Sequence, residues 1–222
     1  MRFTDKVAIV TGAQTGIGRA IAERLAAEGA TVVLADINDA GDVAHAILEK
    51  GGRALSVPTD VADETSVQRM VESTLSAFSR IDILVNNAAI ASGMRLRPFE
   101  EISVAEWRRM QDVNAMGPFL CARAVSPHMR KQHYGRIVNL TSGTAFKGAP
   151  FLLDYVASKG AVITMTRALA REFGPDFVTV NAVSPGYTLS EGVQANKSFQ
   201  EAYRQAAINS RALPRDGWPA DI

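Results

Sequence analysis

The chain has 222 residues, of which 47% are hydrophobic and 21% are charged, and its formal net charge at pH 7 is +1. The length suits one or two domains with a sizeable core. The near-neutral charge excludes the broad positive field that would draw a protein to nucleic acid or to a membrane surface.

The cysteine content and the apolar runs indicate the compartment. Cys121 is the single cysteine, so no internal disulfide can form, which is typical of a reducing compartment. The first residues, MRFTDKVAIVTGA, lack the pattern of a signal peptide, and no run approaches the roughly 20 apolar residues of a membrane span. We therefore expect a cytoplasmic protein with no membrane and no nucleic-acid partner.

Six short β-rich segments alternate with longer segments of helical periodicity. The predicted strands are KVAIVT (6–11), TVVLAD (31–36), RALSVP (53–58), IDILVNN (81–87), RIVNLTS (136–142) and FVTVNAVSP (177–185). The predicted helices include residues 18–30, 63–79 and 105–131, and Pro118 is expected to bend the last of these. This alternation, without a linker or repeat, predicts one α/β domain with a doubly wound parallel sheet and helices on both faces.

The segment VTGAQTGIGRAIA places Gly12, Gly16 and Gly18 between the first predicted strand and a helix. Glycines allow a sharp turn and a close approach to a ligand, and a helix N-terminus offers free N–H groups and a positive dipole end. The setting therefore predicts a diphosphate site, although the G-x-x-x-G-x-G spacing is not the commonest one and glycines also serve plain turns. The predicted contacts include Gln14, Thr15 and Ile17.

Asp36 ends the second predicted strand, 18 residues after Gly18. A carboxylate at this position can accept hydrogen bonds from both ribose hydroxyls of an adenosine, and it repels a 2′-phosphate. Gln14 adds no positive charge nearby, so the sequence favours NAD over NADP. In the alternative interpretation, Asp36 is a turn residue that caps the next helix.

Tyr155 and Lys159 lie one helical turn apart in DYVASKGAVITMTRALA. A free tyrosine has a pKa of about 10, which is too high for a base at neutral pH, and a nearby ammonium group stabilises the phenolate. We therefore expect the pair to act in acid–base catalysis, with the pKa of the phenol shifted towards neutrality by the ammonium group together with the positive charge of an oxidised nicotinamide. In the alternative interpretation the tyrosine is a packing residue and the lysine covers a helix surface.

The ends of the predicted strands favour the catalytic interpretation. Gly12, Asn86, Ser142 and Pro185 all follow strands. Ligands of open α/β sheets bind outside the carboxyl ends of the strands, so these residues are expected to meet at one edge of the sheet. Beyond this point the pattern weakens, with one short helix expected at residues 199–208, and residues 187–217 are predicted to form a lid. The alternative is a surface loop or a tail.

In its motifs the chain resembles the short-chain dehydrogenase/reductase family, whose members are single-domain Rossmann-type proteins. The resemblance covers residues 6–188, and Ser142 lies 13 residues before Tyr155, which is the family spacing. The matching motifs are TGAQTGIG (11–18), DV (60–61), NNAA (86–89), Asn114, NLTS (139–142), YVASK (155–159) and NAVSPG (181–186).

The resemblance implies a role for each matching residue. Tyr155 would be the catalytic acid–base, with Lys159 as its partner, and Ser142 would orient the substrate oxygen. Asn114 would anchor a water-mediated proton relay, unless it only satisfies local backbone, and Asn86 would hold the central strand. The further implied cofactor contacts are Asp60, Val61, Asn87, Pro185, Gly186 and Thr188.

The chain departs from the family pattern in two places. The family usually has glycine at the position of Ala89, a small change that we expect to be tolerated. Family members also continue for a few tens of residues past residues 219–222, into a helix and an edge strand that are apparently absent here. That segment often contributes to tetramer contacts. The resemblance implies a homodimer or homotetramer, with an interface on the helices of residues 107–131 and 155–173.

The sequence thus predicts an NAD-dependent oxidoreductase that interconverts a secondary alcohol and a ketone. Phe146, Leu152 and Tyr187 are predicted pocket walls, although core packing explains them equally well. No cluster of metal-ligating residues is present. Two alternatives remain open: a sensor or scaffold that binds the dinucleotide without turnover, and a lyase or epimerase that reuses NAD without net reduction.

Overall fold

The computed structural model describes residues 1–222 and contains six β-strands and nine α-helices. The strands are β1 (Val7–Thr11), β2 (Thr31–Asp36), β3 (Arg53–Pro58), β4 (Ile83–Asn86), β5 (Gly135–Leu140) and β6 (Val178–Val183). The helices are α1 (Gly16–Ala27), α2 (Gly41–Glu49), α3 (Glu64–Phe78), α4 (Val104–Gln111), α5 (Gly117–Gln132), α6 (Gly143–Lys147), α7 (Leu153–Phe173), α8 (Glu191–Ala195) and α9 (Lys197–Asn209). None of the helices combines the length and the apolar composition that crossing a membrane requires.

The six strands form one parallel sheet in the order β3-β2-β1-β4-β5-β6. Ile9 of β1 lies opposite Val33 of β2 on one side and opposite Leu84 of β4 on the other. The chain therefore builds outward from β1 in two opposite directions, and open α/β sheets bind ligands at such a reversal. The predicted fold class, a single-domain Rossmann-type doubly wound sheet, is confirmed.

Alternation along β1 fills a hydrophobic layer on each face of the sheet. Val7 and Ile9 pack with apolar residues of α3 and α5, whereas Ala8 and Val10 pack with residues of α1 and α2. All five residues of β1 are buried. A parallel strand that is covered on both faces has no polar side, which explains why the predicted strands read as continuous apolar runs.

The helical segment predicted at residues 105–131 is irregular next to Pro118. Residues Asp112–Met116 form a π-helical turn between α4 and α5. Pro118 has no N–H to donate to the carbonyl of Asn114 four residues earlier, so the α-helical hydrogen bond between these two residues is missing. The expected distortion is thus a local π turn, a feature that often accompanies functional sites.

The predicted lid contains two helices rather than one. α8 precedes α9, and α9 includes the predicted residues 199–208 with a few residues on either side. Leu189 N–H donates to the carbonyl of Gly217 at 2.8 Å, which joins the start of the segment to its end. Between the two helices, the Asn196 side chain donates to the carbonyls of Ser92 and Met94 at 3.1 and 3.2 Å.

Candidate active site

A cavity of about 730 Å³ opens at the carboxyl ends of the strands and receives residues from the loops that follow all six. The predicted site residues that line it are Gly12, Thr15, Gly16, Ile17, Asp36, Asp60, Val61, Asn87, Ser142, Tyr155, Lys159, Pro185, Gly186 and Thr188. Three predicted site residues do not line it: Gln14, Gly18 and Asn114.

The loop between β1 and α1 has the backbone geometry that a phosphate site needs. Gly12 and Gly16 have φ of 65° and 59°, in the left-handed region that favours glycine. A Cβ atom at Gly12 would lie 2.8 Å from the Cα atom of Ala88, so the loop has no room for a side chain there. Thr15 is the N-cap of α1, yet its side chain makes no capping hydrogen bond.

The N-terminus of α1 keeps donors available for a ligand. No protein acceptor pairs with the backbone N–H groups of Thr15 or Ile17. These donors lie at the positive end of a 12-residue helix and line the cavity. The loop therefore fits the diphosphate of a dinucleotide on its own geometry.

The two glycine-loop residues outside the cavity support it from behind. A Cβ atom at Gly18 would clash with the carbonyl oxygen of Gly12, so this glycine is needed for close packing of α1 against the loop. Gln14 contributes its backbone, because its N–H donates to Asp36 Oδ2 at 3.0 Å. The expected direct contact of Gln14 and Gly18 with the cofactor stays a prediction.

Asp36 stands at the cavity edge at the end of β2. Its Oδ1 accepts from Asn38 N–H at 3.0 Å, so two backbone donors fix the orientation of the carboxylate. Asp36 therefore does stabilise a turn, but it does not cap the next helix, since the N-cap of α2 is Ala40. The rest of the carboxylate's hydrogen-bonding capacity faces the cavity.

Asp60 and Val61 line the cavity beyond β3. Asp60 Oδ1 accepts from Ala62 N–H at 2.9 Å, which shapes the turn, and Asp60 Oδ2 lies 3.9 Å from Arg109 Nη1. Arg109 also lines the cavity, and it was not predicted because its position depends on how α4 packs across the sheet edge.

The adjacent asparagines after β4 face in different directions. Asn87 donates through Nδ2 to the carbonyls of Thr11 and Gly12, both at 3.0 Å, and ties the glycine loop to β4. Asn86 is buried, and its Nδ2 donates to Asn139 Oδ1 of β5 at 2.9 Å. Asn86 therefore holds the central strands, as expected, but it does not join the residues that meet at the cavity.

Ser142, Tyr155 and Lys159 come together at the end of the cavity that lies opposite Asp36 and Asp60. Ser142 follows β5 and caps α6, and its Oγ accepts from Thr144 Oγ1 at 2.9 Å, which leaves the serine proton free to point elsewhere. Tyr155 lies in the first turn of α7, and Lys159 lies one turn later. Lys159 Nζ donates to the carbonyl of Leu140 at 2.8 Å and lies 5.9 Å from the centroid of the Tyr155 ring.

Burial changes the proton affinities of both groups. It raises the pKa of the Tyr155 phenol, a rise that the Ser142 hydroxyl opposes, and it lowers the pKa of the Lys159 ammonium to about 8. Burial therefore opposes the expected shift of the phenol pKa towards neutrality, and the shift beside an oxidised nicotinamide stays a prediction.

Asn114 lies in the π-helical turn and is fully buried. Its Oδ1 accepts from Ile90 N–H at 2.8 Å, and its Nδ2 donates to the Ile90 carbonyl at 3.2 Å and to Ser158 Oγ at 3.2 Å. The side chain thus satisfies local backbone, as the alternative interpretation expected, and it holds the loop after β4 against α7.

The lid supplies an aromatic wall. Tyr187 and Phe199 stack with their ring centroids 5.9 Å apart, and Phe199 lies 5.0 Å from Tyr203. These three residues line the cavity together with Leu152. Tyr187 and Leu152 were predicted as walls, whereas the α9 aromatics were missed, although their spacing of four residues on an amphipathic helix was a signal.

The predicted pocket wall at Phe146 is wrong. Its side chain is 68% exposed and lines a separate, smaller depression beside β6 with Ile163 and Arg167. Because α6 is short and capped by Ser142, Phe146 lies on the helix face that points away from the cavity.

A doubly wound parallel sheet with a glycine-rich loop after its first strand and a carboxylate at the end of its second is typical of a dinucleotide-binding protein of Rossmann type. The sequence matches the short chain dehydrogenase family over residues 6–201. The chain belongs to the short-chain dehydrogenase/reductase family of oxidoreductases, so the sequence-based assignment is confirmed.

Proteins similar to this chain differ in substrate. It is 42% identical over 192 residues to a 3-oxoacyl-[acyl-carrier-protein] reductase of Synechocystis sp., with 85% of this chain and 76% of the relative covered. The crystal structure of levodione reductase is similar with a TM-score of 0.91 and 34% identity, over 99% of this chain and 88% of that one. A candidate NAD(P)-dependent gluconate 5-dehydrogenase of Beutenbergia cavernae, with NADP bound at low occupancy, is similar with a TM-score of 0.89 and 36% identity. The similarity covers 98% of this chain and 86% of that one.

Proposed function

We propose that this protein is an NAD-dependent dehydrogenase/reductase that interconverts a secondary alcohol and a ketone through Ser142, Tyr155 and Lys159. The observation that carries the proposal is that these three side chains line the same cavity as the glycine loop. A packing tyrosine and a surface lysine would not share a cavity with a phosphate-binding helix terminus.

Each catalytic group has a defined task in alcohol oxidation. The nicotinamide of a bound dinucleotide supplies the hydride acceptor. Ser142 donates its hydroxyl proton to the substrate oxygen, since its own oxygen is already held by Thr144. In ketone reduction Tyr155 Oη donates its proton to the substrate oxygen. In alcohol oxidation the phenol first loses its own proton to solvent, and the resulting phenolate then takes the proton of the alcohol hydroxyl.

Lys159 supports proton transfer at Tyr155. Its pKa of about 8 lets the amine hold a proton at neutral pH and release one to solvent with little cost. The bond from Nζ to the Leu140 carbonyl fixes the amine, and an ammonium group has two further donors for a ribose hydroxyl or a water molecule. Asn114 acts indirectly, by holding the Ile90 loop beside Ser158 of α7.

We further propose that NAD is preferred over NADP. Asp36 faces the cavity next to Ile37 and Asn38, neither of which carries a positive charge. A 2′-phosphate would be repelled by the Asp36 carboxylate, whereas ribose hydroxyls can donate to it. Because one similar protein was crystallised with NADP, the affinities of this chain for NAD and NADP have to be compared directly.

The residues around the catalytic end favour an apolar substrate body. Tyr187, Phe199 and Tyr203 form one wall, and the only carboxylates that line the cavity, Asp36 and Asp60, stand at the other end. We propose a neutral or anionic ketone or alcohol with an apolar body. A useful panel starts from the compounds named for the similar proteins: a 3-oxoacyl ester, levodione and gluconate.

The protein is proposed to form a homodimer or homotetramer. Trp107, Met116 and Phe119 are 37%, 39% and 43% exposed along α4, the π turn and α5, which is unusual for large apolar side chains close together. Sedimentation of the purified chain measures the assembly directly, and a monomeric mass over the assay concentration range would contradict the proposal.

The experiment that tests the function compares Tyr155→Phe with the control Tyr134→Phe. Tyr134 packs against Lys6 and Arg136 at the other end of the sheet. Tyr155→Phe is expected to lower alcohol-dependent NADH formation at least about 100-fold while NADH binding persists, because only the proton acceptor is lost. Binding of NADH without turnover of any substrate in the panel by the unmodified protein would favour the sensor. Turnover without a net change in NADH absorbance would favour a lyase or epimerase.

A further inference from the structure

A carboxylate from the lid occupies the start of α1. Glu191 Oε2 accepts a hydrogen bond from Gly16 N–H at 2.9 Å, across 175 positions of sequence. Glu191 is the first residue of α8, and the preceding Ser190 caps that helix and lies against Gly16. The contact therefore links the first residue of the lid helix to the first residue of the phosphate-binding helix.

Gly16 N–H is a backbone donor at the N-terminus of α1, where helix geometry favours a bound anion. It lies beside the N–H groups of Thr15 and Ile17, which have no protein acceptor. The Thr15 side chain leaves the helix uncapped, so the positive end of α1 faces this group of donors. Glu191 supplies the one negative charge that the protein itself places on them.

We propose that Glu191 is a displaceable internal anion that competes with the dinucleotide diphosphate for the N-terminus of α1. This inference rests on the proposed function only in taking a dinucleotide as the ligand. A bound diphosphate needs Gly16 N–H and would be repelled by a carboxylate at hydrogen-bond distance from it. Glu191 must swing away before the diphosphate is fully held, so it weakens cofactor binding and couples it to the lid.

The surroundings of α8 allow this movement without disturbing the fold. The lid is held on either side of α8, at Leu189 by the Gly217 carbonyl and at Asn196 by the carbonyls of Ser92 and Met94. Glu191 itself is exposed, so rotation of its side chain places the carboxylate in water. Arg19 lies close enough for Glu191 to contribute to its raised pKa, although Glu23 is its main partner, at 2.9 Å.

The test measures binding of ADP-ribose and of adenosine by calorimetry to the wild type and to Glu191→Gln. ADP-ribose carries the diphosphate, whereas adenosine reaches only the Asp36 end. Glutamine keeps the shape of the side chain and removes its charge, so Glu191→Gln is expected to bind ADP-ribose about fivefold more tightly, with adenosine affinity unchanged. Glu191→Ala, which removes the contact altogether, is also expected to bind ADP-ribose more tightly and adenosine with unchanged affinity.

Glu201→Gln is the matched control, because Glu201 is an exposed glutamate of the same lid, whereas Glu191 is the one that accepts from Gly16 N–H. It should leave both affinities unchanged. The gain in ADP-ribose affinity of Glu191→Gln over the wild type should also become smaller as the salt concentration rises, because screening weakens repulsion by the wild-type carboxylate.

The outcomes separate the two proposals. Equal or weaker ADP-ribose binding by both Glu191 variants, with clear binding by the wild type, overturns the competition and leaves the proposed function standing. An equal gain with adenosine also overturns it, because the effect would then not concern the diphosphate. Absence of ADP-ribose binding in all the proteins overturns the dinucleotide site and the inference together.

Discussion

Replacing Lys159 with methionine is expected to stabilise the folded protein while it removes activity. Lys159 is 97% buried, with its ammonium 2.8 Å from one carbonyl and with no carboxylate partner. The fold lowers its pKa from 10.5 to about 8, so keeping it charged at pH 7 costs about 3 kcal/mol of folding free energy. Methionine has a similar length and carries no charge.

The hydrogen bond to the Leu140 carbonyl partly offsets this gain. Its loss leaves a buried carbonyl with one acceptor position unfilled, which costs about 1 kcal/mol. The net expectation at pH 7 is an increase of about 2 kcal/mol in the free energy of unfolding, or a rise in Tm of roughly 4–8 °C for a chain of this size. The wild type would thus be less stable because of the amine to which the proposed function gives a part in proton transfer.

The pH dependence gives the sharper measurement. The folded-state pKa is lower than the unfolded value, so the unfolded chain binds more protons between pH 8 and pH 10.5. The wild type therefore gains stability as pH rises through that window, and the cost of Lys159 is fully present below it. The advantage of Lys159→Met is expected to fall by about 2 kcal/mol between pH 7 and pH 10.

Urea unfolding at fixed protein concentration, with the exposed Lys131→Met as control, measures both quantities. The control is expected to stay within about 0.5 kcal/mol of the wild type at both pH values. The reasoning is refuted if Lys159→Met is less stable than the wild type at pH 7, or if its advantage does not change with pH.

Three other substitutions address separate parts of the site. Asn114→Ala is expected to destabilise the protein by about 2–4 kcal/mol, because both backbone groups of Ile90 lose their partner; a change below about 1 kcal/mol in urea unfolding would contradict this. Gly18→Ala is expected to lower Tm by several degrees through its clash with the glycine loop, whereas Gly174→Ala, whose Cβ meets nothing within 4 Å, should leave Tm nearly unchanged. Asp36→Ala is expected to shift the ratio of NADP to NAD affinities at least about tenfold towards NADP in a binding titration, and stronger binding of NADP by the wild type would overturn the assignment of that carboxylate.

The sheet could be predicted from the sequence because β1, β2 and β4 are buried almost throughout and the strands end in distinctive polar or glycine motifs. The six predicted strands coincide with β1 to β6 to within a few residues. α2 was not singled out, and its start carries little signal, since its N-cap is Ala40 and no side chain caps it. The π form of the turn before α5 was also not predicted, because it depends on packing beside α7 as well as on the missing N–H of Pro118.

The candidate site was predictable where a residue follows a strand and less so where its role depends on a tertiary contact. Tyr155 and Lys159 could be placed on one helix face by spacing alone. Their pKa values could not be predicted from the sequence, because they depend on how deeply each side chain is buried. Glu191 was missed for a similar reason: an exposed glutamate at the start of a short helix is unremarkable until it is seen against Gly16, 175 positions away.

The strand order also constrains how the chain acquires its site. β1 is the first strand made, yet it lies inside the sheet, between β2 and β4. A nascent chain that has emerged only as far as β3 leaves one side of β1 without its neighbour, and a bare strand edge invites pairing with other chains. Residues from both sides of β1 form the cavity, so a ligand that fills it would report that synthesis and folding of the two halves are complete.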